Sequence, residues 1–120
     1  MSRGPGALRE IAIDTPYGRL TGLRGGTGTP VLALHGWLDN AARWIPLAQH
    51  LDGIDLVALD LPGHGTSPHL PVGAEYSLAG TVHTVLDAAD ALGWSRFAVL
   101  GHSMGAAIGS ILCPAAPERV

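Results

Sequence analysis

The stretch Leu100-Gly101-His102-Ser103-Met104-Gly105 decides the architecture of this chain. It has the form Gly-x-Ser-x-Gly, follows the apolar run Phe97-Ala98-Val99-Leu100, and opens a small-residue segment from Met104 through Leu112. The run reads as a buried strand and the segment as a helix packed closely behind it. Between the two there is space only for a very tight turn, of the kind that lifts a serine hydroxyl out of a sheet. Gly101 and Gly105, two residues either side of Ser103, leave room for a strained backbone where larger side chains would collide. Ser103 is therefore the candidate nucleophile.

Upstream, Ser77 is placed to cap a helix whose apolar positions Leu78, Val82, Val85, Leu86, Ala89 and Leu92 keep helical spacing until Gly93. Before it, Ile54, Leu56, Val57, Ala58 and Leu59 form a strand that delivers Asp60-Leu61-Pro62-Gly63-His64-Gly65-Thr66-Ser67 into a loop. Trp44, Leu47, Ala48 and Leu51 fall at i, i+3, i+4 and i+7, which predicts a short helix from about Ile45 to Leu51, with Pro46 in its first turn. Val31-Leu32-Ala33-Leu34 is a continuous apolar run, as in a parallel strand covered on both faces, and His35-Gly36-Trp37-Leu38-Asp39-Asn40 follows it. At the start, Arg9, Ile11 and Ile13 alternate with Glu10, Ala12 and Asp14. The turn residues Thr15-Pro16-Tyr17-Gly18 then predict a hairpin returning through Arg19 to Arg24.

Alternation of strand and helix after residue 30 implies an α/β fold: an antiparallel hairpin followed by parallel strands, with right-handed crossovers that place helices on both faces. Sites in such sheets lie at the carboxyl ends of strands. The loops His35 to Asn40, Asp60 to Ser67 and Gly101 to Gly105 are expected to converge there.

With 47% hydrophobic and 14% charged residues, the 120-residue chain has a globular composition. Seven Lys+Arg, all arginine, stand against ten Asp+Glu for a formal charge of −3, so no basic field is present to hold nucleic acid or an anionic membrane. The uncharged segment from Phe97 to Cys113 is nearly long enough to span a bilayer. Its Gly101, His102, Ser103, Gly105 and Gly109 argue against a membrane helix and for a strand, turn and helix. Met1 to Gly6 precede no apolar signal core and Cys113 is the single cysteine, so a cytoplasmic protein is the expectation. Cys113 itself is expected as a small buried hydrophobe. The glycine-rich Gly25 to Pro30 lacks a P-loop Lys-Ser/Thr and reads as a linker. No metal-ligand spacing exists, and no cofactor is expected. Asp39 and Asn40 are expected to cap or turn the chain. Asp60 and His64 belong to a structural loop, and His50, His69 and His83 lack partner spacing.

His35-Gly36-Trp37 after the third strand, Asp60-Leu61-Pro62-Gly63-His64-Gly65-Thr66-Ser67 after the fourth and Gly101-His102-Ser103-Met104-Gly105 after the fifth resemble the N-terminal part of the α/β-hydrolase fold. His35 to Ala42 together with Ala58 to Gly65 look most like the serine hydrolase-like proteins within it. The resemblance implies a serine hydrolase that cleaves an ester, thioester or related acyl bond of a small molecule through an acyl-enzyme at Ser103. A histidine would act as base and an acid would orient it. The oxyanion would be stabilised by the backbone amides of Met104 and Trp37. His102, adjacent to Ser103, is expected to point away from it. In the family's chain order the acid and the histidine follow the nucleophile. Residues 1–120 are accordingly expected to form an incomplete domain, strands 1 to 5 with helices A to C, whose cap and C-terminal half are absent and which is nearly inactive alone. From a different class, the alternative is a non-catalytic remnant that binds a hydrophobic small molecule or a partner chain.

Overall fold

The computed structural model describes residues 8–16, 18–36, 39–62 and 78–120. Its element order is β1 (Arg9–Thr15), β2 (Gly18–Gly25), β3 (Thr29–Leu34), a 3₁₀ turn (Ala41–Trp44), α1 (Ile45–Ala48), β4 (Ile54–Leu59), α2 (Leu78–Ala91), β5 (Ala98–Gly101) and α3 (Met104–Ala115). One sheet carries the strands in the order β1-β2-β4-β3-β5. The hairpin β1–β2 is antiparallel and joins β4 antiparallel, with Gly22 opposite Leu59. Strand β3 then lies between β4 and β5, parallel to both.

This order explains the two-sided core. The connection through α1 runs from β3 toward β2, and the one through α2 runs from β4 past β3 to the other side; crossovers of one hand in opposite directions fall on opposite faces. Strand β3 shows the result with a period of two. Leu32 and Leu34 enter a cluster with Val82, Val85, Ile108 and Leu112 from α2 and α3. Val31 and Ala33 face Ala41, Trp44 and Ala48 on the opposite side. Both faces are therefore covered, as the unbroken apolar run of β3 predicts.

Local expectations are corrected in three segments, α1, β5 and α3. The segment predicted as one helix to Leu51 is a 3₁₀ turn followed by a single α-turn, because the bonds from His50 N–H to Leu47 O and from Leu51 N–H to Ala48 O close three-residue spans. Leu47, which the spacing puts on the buried stripe, is 43% exposed, and Ala41 takes its place in the core. The elbow strand begins at Ala98, one residue later than the run predicts, since Phe97 N–H donates to Arg119 O. Among the described residues β5 pairs only with β3, so Ala98 is exposed and Val99 and Leu100 are half-buried instead of fully covered. Helix α3 passes Leu112 and runs through Pro114 to Ala115; a proline so near the end forfeits a single bond of the last turn. Cys113 is exposed on it, contrary to the expected burial, because α3 buries the stripe Gly105, Ile108, Gly109 and Leu112.

The end of α2 follows the sequence closely. Gly93 has φ +75°, Trp94 N–H donates to Ala89 O and Gly93 N–H to Asp90 O, the paired bonds of a Schellman cap. Ser77, its expected N-cap, lies outside the described residues. No helix among the described residues is long and apolar enough to cross a membrane.

Candidate active site

Register brings the strand ends to one level. Leu34 of β3 is paired with Leu59 of β4 and with Gly101 of β5, so His35, Asp60 and His102 leave the sheet side by side. The connection leaving β3 and the one entering β5 run in opposite directions along the sheet, which opens a crevice at its carboxyl end. Ser103 stands there, exposed, between the last residue of β5 and the first of α3.

Ser103 has φ +57° and ψ −112°, and among the described residues it is the single non-glycine position with positive φ. Its side chain makes no capping bond to the helix it opens, so the hydroxyl is not spent on structure. A backbone strain of about 1–3 kcal/mol is sustained only where the surroundings dictate it, and here the flanking glycines do so by contact. A Cβ on Gly105 would lie 2.0 Å from Leu34 O and 2.9 Å from His35 O. A Cβ on Gly101 would lie 2.6 Å from both Ala106 N and Gly105 O. Neither glycine has positive φ. The strain thus sits on the serine alone, and the glycines let α3 drive into the ends of β3 and β5. His102 N–H donates to Leu34 O at 3.1 Å and Gly105 N–H to His102 O at 3.0 Å, which closes the turn.

The loop after β3 approaches from the other side. Gly36 is buried, and a Cβ there would meet Ser103 Cβ and His102 Nδ1, each at 3.3 Å. The His102 ring therefore borders Gly36. Gly36 O accepts from Asp39 N–H at 3.2 Å. Asn40 Oδ1 accepts from Ala42 N–H at 2.9 Å and caps the 3₁₀ turn, while Asp39 pairs with Arg43 and accepts from Asn40 N–H, so both residues turn and cap the chain. The hydrogen bond from Arg43 holds the Asp39 carboxyl below its ordinary range. Trp37, the expected second oxyanion donor, lies outside the described residues, as do His64 and His69. Met104 occupies the first position of α3, where a helix leaves its amides without intrahelical acceptors.

Two residues that sequence reasoning left in a structural loop or passed over anchor this crevice. Asp60, 8% exposed, accepts from Ala41 N–H at 2.8 Å with one carboxylate oxygen and from Thr21 Oγ1 at 2.8 Å with the other. His35 is fully buried, with Nδ1 2.7 Å from Gly36 O and Leu61 N–H donating to Nε2 at 3.0 Å. The adjacency of His35 to Gly36 was the one signal available for it. No histidine ring among the described residues bonds to Ser103 Oγ, and His50 and His83 are exposed. No group of metal-ligating side chains occurs among the described residues.

Comparison with known proteins bears on the family and the fold. Residues 29–120 match the family described as the alpha/beta hydrolase fold. A human serine hydrolase-like protein is 40% identical over 121 aligned residues, which cover 97% of this chain and 59% of that protein. The crystal structure of a hypothetical protein from Pseudomonas aeruginosa PAO1 superposes with a TM-score of 0.89 at 48% identity, covering 92% of this chain and 39% of that one. A membrane phospholipase A described as a bacterial virulence factor superposes with a TM-score of 0.91 at 30% identity, covering 96% and 38%. The chain thus spans well under two thirds of the length of each.

Proposed function

The chain belongs to the alpha/beta hydrolase fold family, and from that premise we propose that Ser103 is the nucleophile of a serine hydrolase acting on an ester, thioester or related acyl bond of a small molecule. The observation that carries this is the backbone of Ser103, strained at φ +57° with its hydroxyl left out of the helix cap. Ser103 Oγ attacks the acyl carbon while a general base takes its proton. The tetrahedral intermediate collapses, the bond to the leaving alcohol or thiol breaks, and the base returns the proton to that leaving group. Water then attacks the acyl-serine by the same route in reverse. The backbone amides of Met104 and Trp37 hold the oxyanion, each worth roughly 3 to 4 kcal/mol in the transition state.

The base and its orienting acid follow the nucleophile in the family's chain order, and no histidine follows Ser103 in residues 1–120. Residues 1–120 alone therefore keep only what an oxyanion hole and binding supply, about 10³ to 10⁴ over water, against a loss on the order of 10⁶ in turnover when the histidine is missing. The test is covalent labelling of the polypeptide read from the intact gene with a fluorophosphonate probe. Marking at Ser103 in the wild type, its loss in Ser103→Ala, and far slower marking of residues 1–120 are the expected results. A folded wild-type polypeptide that stays unmarked overturns the proposal.

A second reading, a non-catalytic remnant that binds a partner chain or a hydrophobic small molecule, is favoured by one observation: the edge of β5 that pairs with no other strand among the described residues, beside an uncharged α3, where Val99, Gly101, Ala106 and Gly109 border a cavity of about 230 Å³. Hydrolysis of short p-nitrophenyl esters that disappears with Ser103→Ala decides for the enzyme. Binding that is indifferent to Ser103 decides for the remnant.

A further inference from the structure

The chain between Gly36 and Ala41 is gripped at both ends by two residues adjacent in sequence, Asp60 and Leu61. At the first end the link passes through an imidazole. Leu61 N–H can only donate, so the Nε2 it reaches at 3.0 Å must offer a lone pair. The ring proton then sits on Nδ1, which donates to Gly36 O at 2.7 Å. His35 is therefore neutral and in one tautomer, with both nitrogens engaged inside a fully buried site. At the other end Asp60 Oδ1 accepts from Ala41 N–H, and Asp60 is itself tied to β2 through Thr21 Oγ1 and through its own N–H to Thr21 O.

We propose that His35 and Asp60 are positioning residues that tie Gly36 and Ala41, the described ends of the connection after β3, to the end of β4, and so set where Gly36 stands against Ser103. The proposal rests on the nucleophile assignment above and extends it to residues that touch no substrate. Its physical basis is the leverage of a short loop. Gly36 sits so close that an added methyl group would meet Ser103 Cβ at 3.3 Å, so releasing either hold displaces Gly36 against the nucleophile. A displacement of 1 Å there lowers rates by about 10²-fold. Both holds act on one short connection, so their losses are not expected to add.

The clamp predicts a specific pattern in fluorophosphonate labelling of Ser103, measured on the polypeptide read from the intact gene. His35→Leu loses both the acceptor for Leu61 and the donor to Gly36; Asp60→Ala loses the acceptor for Ala41. Each is expected to slow labelling about 10²-fold, and the double variant to be slowed little further, because either substitution alone opens the clamp. Asp60→Asn, which keeps an oxygen for Ala41 N–H, is expected to recover most of the rate. Unchanged rates in the single variants, or effects that multiply in the double variant, overturn the proposal. Imidazole ¹⁵N spectra of wild-type residues 1–120 decide it independently of catalysis and of how the variants fold. A neutral His35 with its proton on Nδ1 and a bonded Nε2 supports the clamp, and a charged ring or the opposite tautomer at neutral pH overturns it. If wild-type Ser103 resists the probe while the spectra show that tautomer, the nucleophile assignment falls and the clamp stands as an anchor of the loop.

Discussion

The two sides of the crevice are held by different forces. On the β5 side the turn from Gly101 to Gly105 is shaped by contact: two absent side chains, a helix driven against strand ends, and no side-chain hydrogen bond at Ser103. On the β3 side the loop from His35 to Ala41 is held by polar side chains, His35, Asp39, Asn40 and Asp60, each reaching backbone amides or carbonyls. Shape can hold a strained residue because repulsion rises steeply with overlap. Directional hydrogen bonds suit a loop whose carbonyls and amides must face set directions. On the proposed function, Ser103 as nucleophile calls for the first kind of support and an oxyanion site for the second.

Substitutions can break this contrast. The largest effect belongs to Ser103→Ala, which is expected to lower turnover by a factor on the order of 10⁶ while leaving the thermal midpoint nearly unchanged, measured by ester hydrolysis and calorimetry on the polypeptide from the intact gene. On the steric side, Gly105→Ala forces a methyl group into Leu34 O and should cost about 3 kcal/mol or more in urea unfolding. Gly109→Ala, which meets only Val99 Cγ1 at 3.4 Å on the same helix, is the control and should gain up to about 1 kcal/mol from helix propensity. Equal costs at the two positions would mean that contact with β3 does not shape the turn.

Ser103→Gly is expected to stabilise the fold by about 1 kcal/mol, because glycine carries no penalty at positive φ, even as it abolishes labelling. A loss of stability would show that the serine is not strained. The smallest effect lies on the polar side. Arg43→Gln removes the hydrogen bond that lowers the Asp39 titration, so that titration, followed by carboxyl ¹³C shifts, should move up toward the ordinary aspartate value. The sign is that of a carboxyl depressed in the folded state: the Asp39–Arg43 pair supports the fold above the unfolded-state pKa, and that support is lost as pH falls through the lowered one. An unmoved titration would show that Arg43 does not tune Asp39.

The same contrast governs what could be read from residues alone. The elbow was legible because contact leaves a mark in a short window: Gly101 and Gly105 stand two residues either side of Ser103, and strand and helix patterns flank them. The five strands, the hairpin and both covered faces of the sheet were legible from periodicity. That Asp60 serves a structural loop was legible and agrees with its bond from Ala41 N–H; the identity of its partners Ala41 and Thr21, and the tie from Leu61 to His35, were not, because they lie elsewhere in the chain and a backbone amide leaves no trace in sequence. The exposure of β5 was missed for a related reason. An apolar run such as Ala98-Val99-Leu100 records preference for the interior, and it cannot record that the strand falls at the edge of the described sheet. Leu47 and Leu51 fit a helical stripe, yet three-residue hydrogen bonds shortened the helix and turned Leu47 to solvent.

The central place of β3 also sets a timetable for folding. Leu34 meets Leu59 after the chain has traversed one short helix, but it meets Gly101 only after more than twice that length, with α2 in between. Closing the longer span costs more entropy and is repaid only when α3 docks behind β5. The strained serine is therefore expected to assemble after the β3–β4 pair. Stopped-flow measurements on Val99→Ala should accordingly show faster unfolding with little change in refolding, whereas Val57→Ala, in the earlier pair, should slow refolding.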